Sequence, residues 1–231
     1  TSGLIDTAGG DITGITTTTV NAGGRILTGG GDLTGSGALT HNVGGLIDLG
    51  DGGALTVLSA TTFAGSLVGG PDTSVNTTGG ALTLNAATSS IALDGGTVNV
   101  TGGALTISNA AGSLTTNGGA VTADGNLAIT GTLDSGGGAV ATTGAAATIT
   151  VNTGGQILTG GADLSGVNGT ITVNAGGQIL TEGGDLAAVA APLVVNGRLD
   201  TACGDITGTT TLGMTGGSLD TGAGTYYPGG T

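Results

Sequence analysis

Val151–Gly166 reads VNTGGQILTGGADLSG, and two other stretches say almost the same thing. They are VNAGGRILTGGGDLTG from Val20 to Gly35 and VNAGGQILTEGGDLAA from Val173 to Ala188. Within each copy the apolar residues alternate with polar ones, as in Thr170-Ile171-Thr172-Val173, so the local period is 2 and not 3.6. β-Branched residues fill these short runs, which favours strand over helix. Glycine pairs and asparagines interrupt them every few residues, where a chain must turn a tight corner. Each copy therefore holds three short strands and three corners.

The phrase recurs along the chain. LIDTAGGDITG from Leu4 to Gly14 returns as RLDTACGDITG from Arg198 to Gly208. Taking the second apolar anchor of each copy gives Ile12, Leu33, Leu55, Leu82, Leu105, Val121, Val140, Leu164, Leu186 and Ile206. Most of the intervals lie near 21 residues, with irregular ones in the middle. A sandwich of hairpins has no reason to return one residue type to one phase at this interval. A coil that stacks like on like does. The expected fold is all-β: a parallel β-helix, or β-solenoid, of about 10–11 coils with three short strands each, forming a rod of roughly 50 Å at ~4.8 Å per coil. The solenoid is expected over residues 1–224, with 225–231 as a short tail or minimal cap. With no Met and no signal peptide at its start, Thr1 reads as the beginning of a mature or trimmed chain.

Composition excludes several classes. Glycine numbers 54 of 231 residues without a Gly-X-Y period, so collagen is out. Charged residues are only 7% and mean hydropathy is +0.39, so the chain has apolar material to bury and is not disordered. Net charge is −13, with Arg25 and Arg198 the only fixed cations, which argues against nucleic acid and anionic membrane surfaces. No apolar run is long enough to insert in a bilayer. Neither Lys nor Trp is present, His41 stands alone and reads as a surface residue, and Cys203 replaces a consensus glycine. No catalytic grouping is visible, so no enzyme is expected.

The phrases GGQILTGGADLSG (Gly154–Gly166) and GGALTLNAA (Gly79–Ala87) resemble the glycine-rich β-helix repeats of filamentous-haemagglutinin and autotransporter-passenger proteins of bacteria. The resemblance covers nearly the whole chain in repeat style. It implies export, display at the extracellular cell surface, and a part in adhesion or assembly.

In a solenoid, sequence phase becomes vertical columns. Asn21, Asn76, Asn99, Asn152, Asn174 and Asn196 read as one corner ladder whose amides bond coil to coil. Asp11, Asp32, Asp163, Asp185 and Asp205 share a phase that is Ala in the middle coils. Stacked carboxylates repel, so calcium is the cofactor to consider, at Asp163, Asp185 and Asp205. The calcium-binding nonapeptide is missing, which favours outward charges that keep the rod soluble. A further position reads Asp6, Leu27, Asp134, Leu158, Leu180, Asp200 and Asp220, and is expected to face outward. Thr-x-Thr pairs at Thr17/Thr19, Thr148/Thr150 and Thr170/Thr172 suggest an ice-binding row. Pro192 and Val194 break it in the next coil, so a flat face is not expected to be sustained.

The repeat starts by Leu4 and is still in phase at Leu219, leaving strand edges uncapped. Leu4, Ile5 and Ile12 at one end and Leu219, Tyr226 and Tyr227 at the other are the expected contacts of a head-to-tail homopolymer. The alternatives are an adhesin segment binding glycans or other surface proteins, and a piece of a longer adhesin.

Overall fold

The computed structural model describes residues 2–35 and 37–228; the expectations placed on Thr1 and on 229–231 lie outside these residues. The chain winds as a parallel β-solenoid of about ten turns, without helices among the described residues. The first sheet stacks eleven strands, from Leu4–Asp6 to Ser218–Asp220, each parallel to the strand one coil away. The second sheet runs from Ile12–Ile15 to Tyr226–Pro228, and the third starts at Thr18–Val20. Two long strands, Leu186–Val195 and Ile206–Met214, pass through the second corner without a break and join the second and third sheets.

The core is a set of apolar columns. In the first sheet Ile26 pairs with Ile47, Ile91 with Leu114, and Ile157 with Ile179. All six are at most 1% exposed. Each fully buried Leu or Ile contributes about 1.5–3 kcal/mol, so the rod is held by many small, similar increments.

The corner after the first sheet shows why the phrase T-x-G-G recurs. The threonine is buried, and its hydroxyl donates to the carbonyl three residues on: Thr116 to Gly119, Thr159 to Ala162, Thr181 to Gly184, Thr201 to Gly204. In the first three of these corners the next two residues take positive φ, for example 59° at Gly160 and 95° at Gly161, and after Thr201 only Ala202 does. The first lies in the left-handed well that an L-residue enters at modest cost, and Glu182 does so at 55°. The second is open in practice only to glycine. The third residue lies against the coil before it: a Cβ on Gly138 would stand 2.0 Å from the Gly119 carbonyl oxygen. Conformation favours glycine at the second position and contact favours it at the third, where Ala162 is an exception.

Register corrects the sequence alignment in the middle coils. The residues stacked on Leu55 in the second sheet are Val75 and then Val98. Leu82 and Leu105, assigned to that column from sequence, belong to the third sheet, where Leu82 pairs with Thr61 and Leu105 with Leu127. His41 is also corrected. It is 1% exposed, because its phase is the inward one of Val20 and Phe63. At the C-terminal end, Tyr226–Pro228 extends the second sheet as a further strand, with Tyr226 opposite Ile206.

Candidate functional site

The aspartate column lies at the start of the second sheet. One oxygen of each carboxylate accepts the backbone N–H of the same position in the next coil: Asp11 from Asp32, Asp32 from Ala54, Asp163 from Asp185, Asp185 from Asp205, and Asp205 from Thr225, at 2.7–2.9 Å. These side chains are rungs between coils. The middle coils carry Ser74 and Thr97 in this column, not the Ala81 and Ala104 of the sequence alignment. Among the described residues no group of three or more His, Cys, Asp or Glu stands together as a metal cluster.

The Asp/Leu position faces outward on the first sheet, with Leu27, Leu158 and Leu180 half-buried. Where it is Asp, the carboxylate accepts the N–H two residues on: Asp6 from Ala8, Asp134 from Gly136, Asp200 from Ala202, Asp220 from Gly222. Each such bond sets the first residue of the corner.

The six asparagines fall into two columns. Asn21, Asn152, Asn174 and Asn196 sit at the third corner, together with Asn42. There Asn42 donates to Asn21 at 2.9 Å and Asn174 to Asn152 at 3.2 Å. Asn76 and Asn99 pair instead within the second sheet, where the Asn99 amide donates to Asn76 at 3.0 Å. A glycine-floored groove of about 340 Å³ lies at the third corner near Asn196, lined also by Gln178, Arg198 and Ser218. Arg198 there pairs with Asp200 at 2.6 Å.

The ends differ sharply from the interior. Leu4 is 61% and Ile5 40% exposed, and a cleft of about 190 Å³ opens there between Ile5, Ile12, Ile15 and Ile26. At the other end Leu212, Met214 and Tyr227 are exposed, while Leu219 and Tyr226 pack partly against the core. The Tyr226 hydroxyl accepts from Thr209 at 2.8 Å.

His41 packs edge-on against Phe63, with ring centroids 5.2 Å apart. Neither ring nitrogen has a well-formed hydrogen bond. Burial holds its pKa below the ordinary value, outweighing the opposing effect of the Gly45 backbone. Cys203 is exposed and free. Outside the aspartate column, the Asp124 carboxylate joins three coils. It accepts from Thr143 and from the Gly102 N–H, and these bonds, the first larger, hold it below the usual carboxylate range.

The outward row of the third sheet contains Thr19, Thr150 and Thr172 of the sequence-predicted pairs, and register adds Thr40, Thr62, Thr83 and Thr106. Thr19 pairs with Thr40, Thr40 with Thr62, Thr62 with Thr83 and Thr83 with Thr106, all in register. After Ala128 the row resumes at Thr150 and Thr172, then ends at Val194.

No family model and no curated protein sequence matches the chain. Among solved structures, the chain is similar to the TibC-catalyzed hyper-glycosylated TibA fragment. The two are 18% identical with a TM-score of 0.32, over 98% of this chain and 95% of that one. The class is defined by the strand pairing itself: a parallel β-solenoid with three strands per coil.

Proposed function

We propose that the chain is an extracellular structural β-solenoid whose subunits stack head-to-tail into a surface filament, sheath or matrix. The exposed apolar cross-section at both ends carries this reading, set against a core that is almost completely buried. Apolar side chains and unpaired strand edges together are what a further coil covers. A contact of end on beginning does not close on itself, so it builds a fibre. The acidic surface with two fixed cations suits a secreted protein that resists lateral aggregation.

Negative-stain microscopy and sedimentation of the purified chain test it. Rods several subunits long are expected, shortened by Ile5→Lys, which places a charge on the exposed end. Dispersed short rods at every concentration refute it.

The groove at Asn196 and Arg198 favours a second reading, an adhesin that binds glycans, since its glycine floor admits a sugar ring among amide and guanidinium donors. A glycan array separates the two. Binding that Arg198→Ala abolishes supports the adhesin.

A further inference from the structure

The geometry points to the outward face of the third sheet as an ice-binding surface. Three independent observations lead there. First, the row is regular: five threonines, Thr19 to Thr106, stack in consecutive coils without a register shift, and two more follow. Coil stacking sets their repeat at ~4.8 Å, close to the oxygen repeat in a layer of hexagonal ice. Each Thr is β-branched, and Thr40, Thr62 and Thr83 have a threonine both above and below, so their rotamers are restricted and their hydroxyls and methyls are presented as a pre-ordered array.

Second, six hydroxyls of the row, from Thr40 onward, are uncommitted. Thr40, Thr62, Thr83, Thr106, Thr150 and Thr172 make no side-chain hydrogen bond to any described residue. The buried threonines of the first corner spend theirs on carbonyls. Each free hydroxyl offers a donor and two acceptors to water.

Third, the face is uncharged. The chain holds 15 acidic residues, yet no outward residue of 17–21, 38–42, 60–64 or the equivalent stretches up to 170–174 is ionisable. The one titratable side chain within them, His41, points inward. A strip without charge on a chain of net charge −13 selects a neutral occupant. Asparagines two residues beyond the row, at Asn21, Asn42, Asn152 and Asn174, form a second polar column about 7 Å across the strand. Two of their amide-to-amide bonds hold it in place.

Other occupants fit less well. A neutral polysaccharide would find on this flat strip neither a groove nor an aromatic platform, since Phe63 is buried and Tyr226 and Tyr227 lie at one end. A second copy laid face to face buries only about 500 Å² a side, or ~1,000 Å² in total, the lower bound for a stable pair.

The test uses the whole chain, with thermal hysteresis, ice-crystal shaping and inhibition of ice recrystallisation as readouts. The unaltered protein is expected to shape growing crystals and arrest recrystallisation. Thr62→Lys and Thr83→Lys, in the middle of the row, are expected to lose both effects while keeping the circular-dichroism melt of the parent. Ser90→Lys, outward on the first sheet, is expected to retain them. The proposal is overturned if the parent behaves as serum albumin does at equal concentration. It is also overturned if Ser90→Lys loses activity as Thr62→Lys does, or if Thr62→Lys only dissolves a lateral pair and leaves ice growth unchanged.

Discussion

Two columns of threonine repeat along this rod with the same period, and they do opposite things. At the first corner Thr116, Thr159, Thr181 and Thr201 are completely buried and donate into the turn they begin. On the third sheet Thr40 and Thr62 are exposed and make no such bond. The corner uses the hydroxyl, because carbonyls turned inward by left-handed residues need a donor. The strand uses the branched carbon, because β geometry suits it and the neighbouring coils do the bonding. A threonine repeat is thus two signals in one letter, and only register separates them.

That contrast can be broken at several points. The corner itself gives the largest effect. Gly138→Val forces a side chain onto the Gly119 carbonyl oxygen, now 2.0 Å from where its Cβ would lie. A loss of about 3 kcal/mol is expected in chemical denaturation, the upper range for overpacking. Next comes Thr159→Val, which keeps the shape and removes the donor to Ala162. Leaving a buried acceptor unpaired costs about 1–3 kcal/mol, read from the shift in denaturation midpoint.

His41, one residue along from Thr40 and pointing inward, gives a pH-dependent effect. Burial lowers its pKa in the folded chain, so the unfolded chain takes up its proton first as pH falls through 6.5. Stability is therefore expected to decline as pH falls below that value, and His41→Leu to flatten this part of the profile. An unchanged slope in the variant refutes the assignment. The smallest effect belongs to Thr150→Val on the open face, expected within about 0.5 kcal/mol of the parent, as for surface substitutions. A cost equal to that of Thr159→Val would erase the distinction between the two columns.

The fold was legible because two periods coincide in the sequence, alternation within strands and return of the same phrase each coil. The column assignments were legible only where the first corner keeps its threonine and glycine pair, as in the copies from Val20, Val151 and Val173. The pentapeptide GGALT shows where reading failed. At Gly52–Thr56 it leads into the second sheet, but at Gly79–Thr83 and Gly102–Thr106 it leads into the third. All three kinds of corner use glycine at positive φ in some coils, as at Gly160, Gly79 and Gly23, so a glycine pair marks a corner without saying which one. Reading all three alike moved Leu82 and Leu105 to the wrong sheet and hid the unbroken run from Thr19 to Thr106. His41 was misread for a related reason. Its phase is inward, and the type of side chain did not announce it.

The aspartate rungs have a mechanical consequence. Each joins one coil only to the next, as do the strand pairs beside it, so no contact in this column ties distant parts of the rod together. Pulled along its axis from one end, the rod should yield a coil at a time, each release freeing about 21 residues and up to ~75 Å of chain. The trace would be a sawtooth of similar small peaks and not one large rupture. A filament made this way would behave as a shock absorber: it lengthens under load by shedding turns from its end while the remaining turns stay wound.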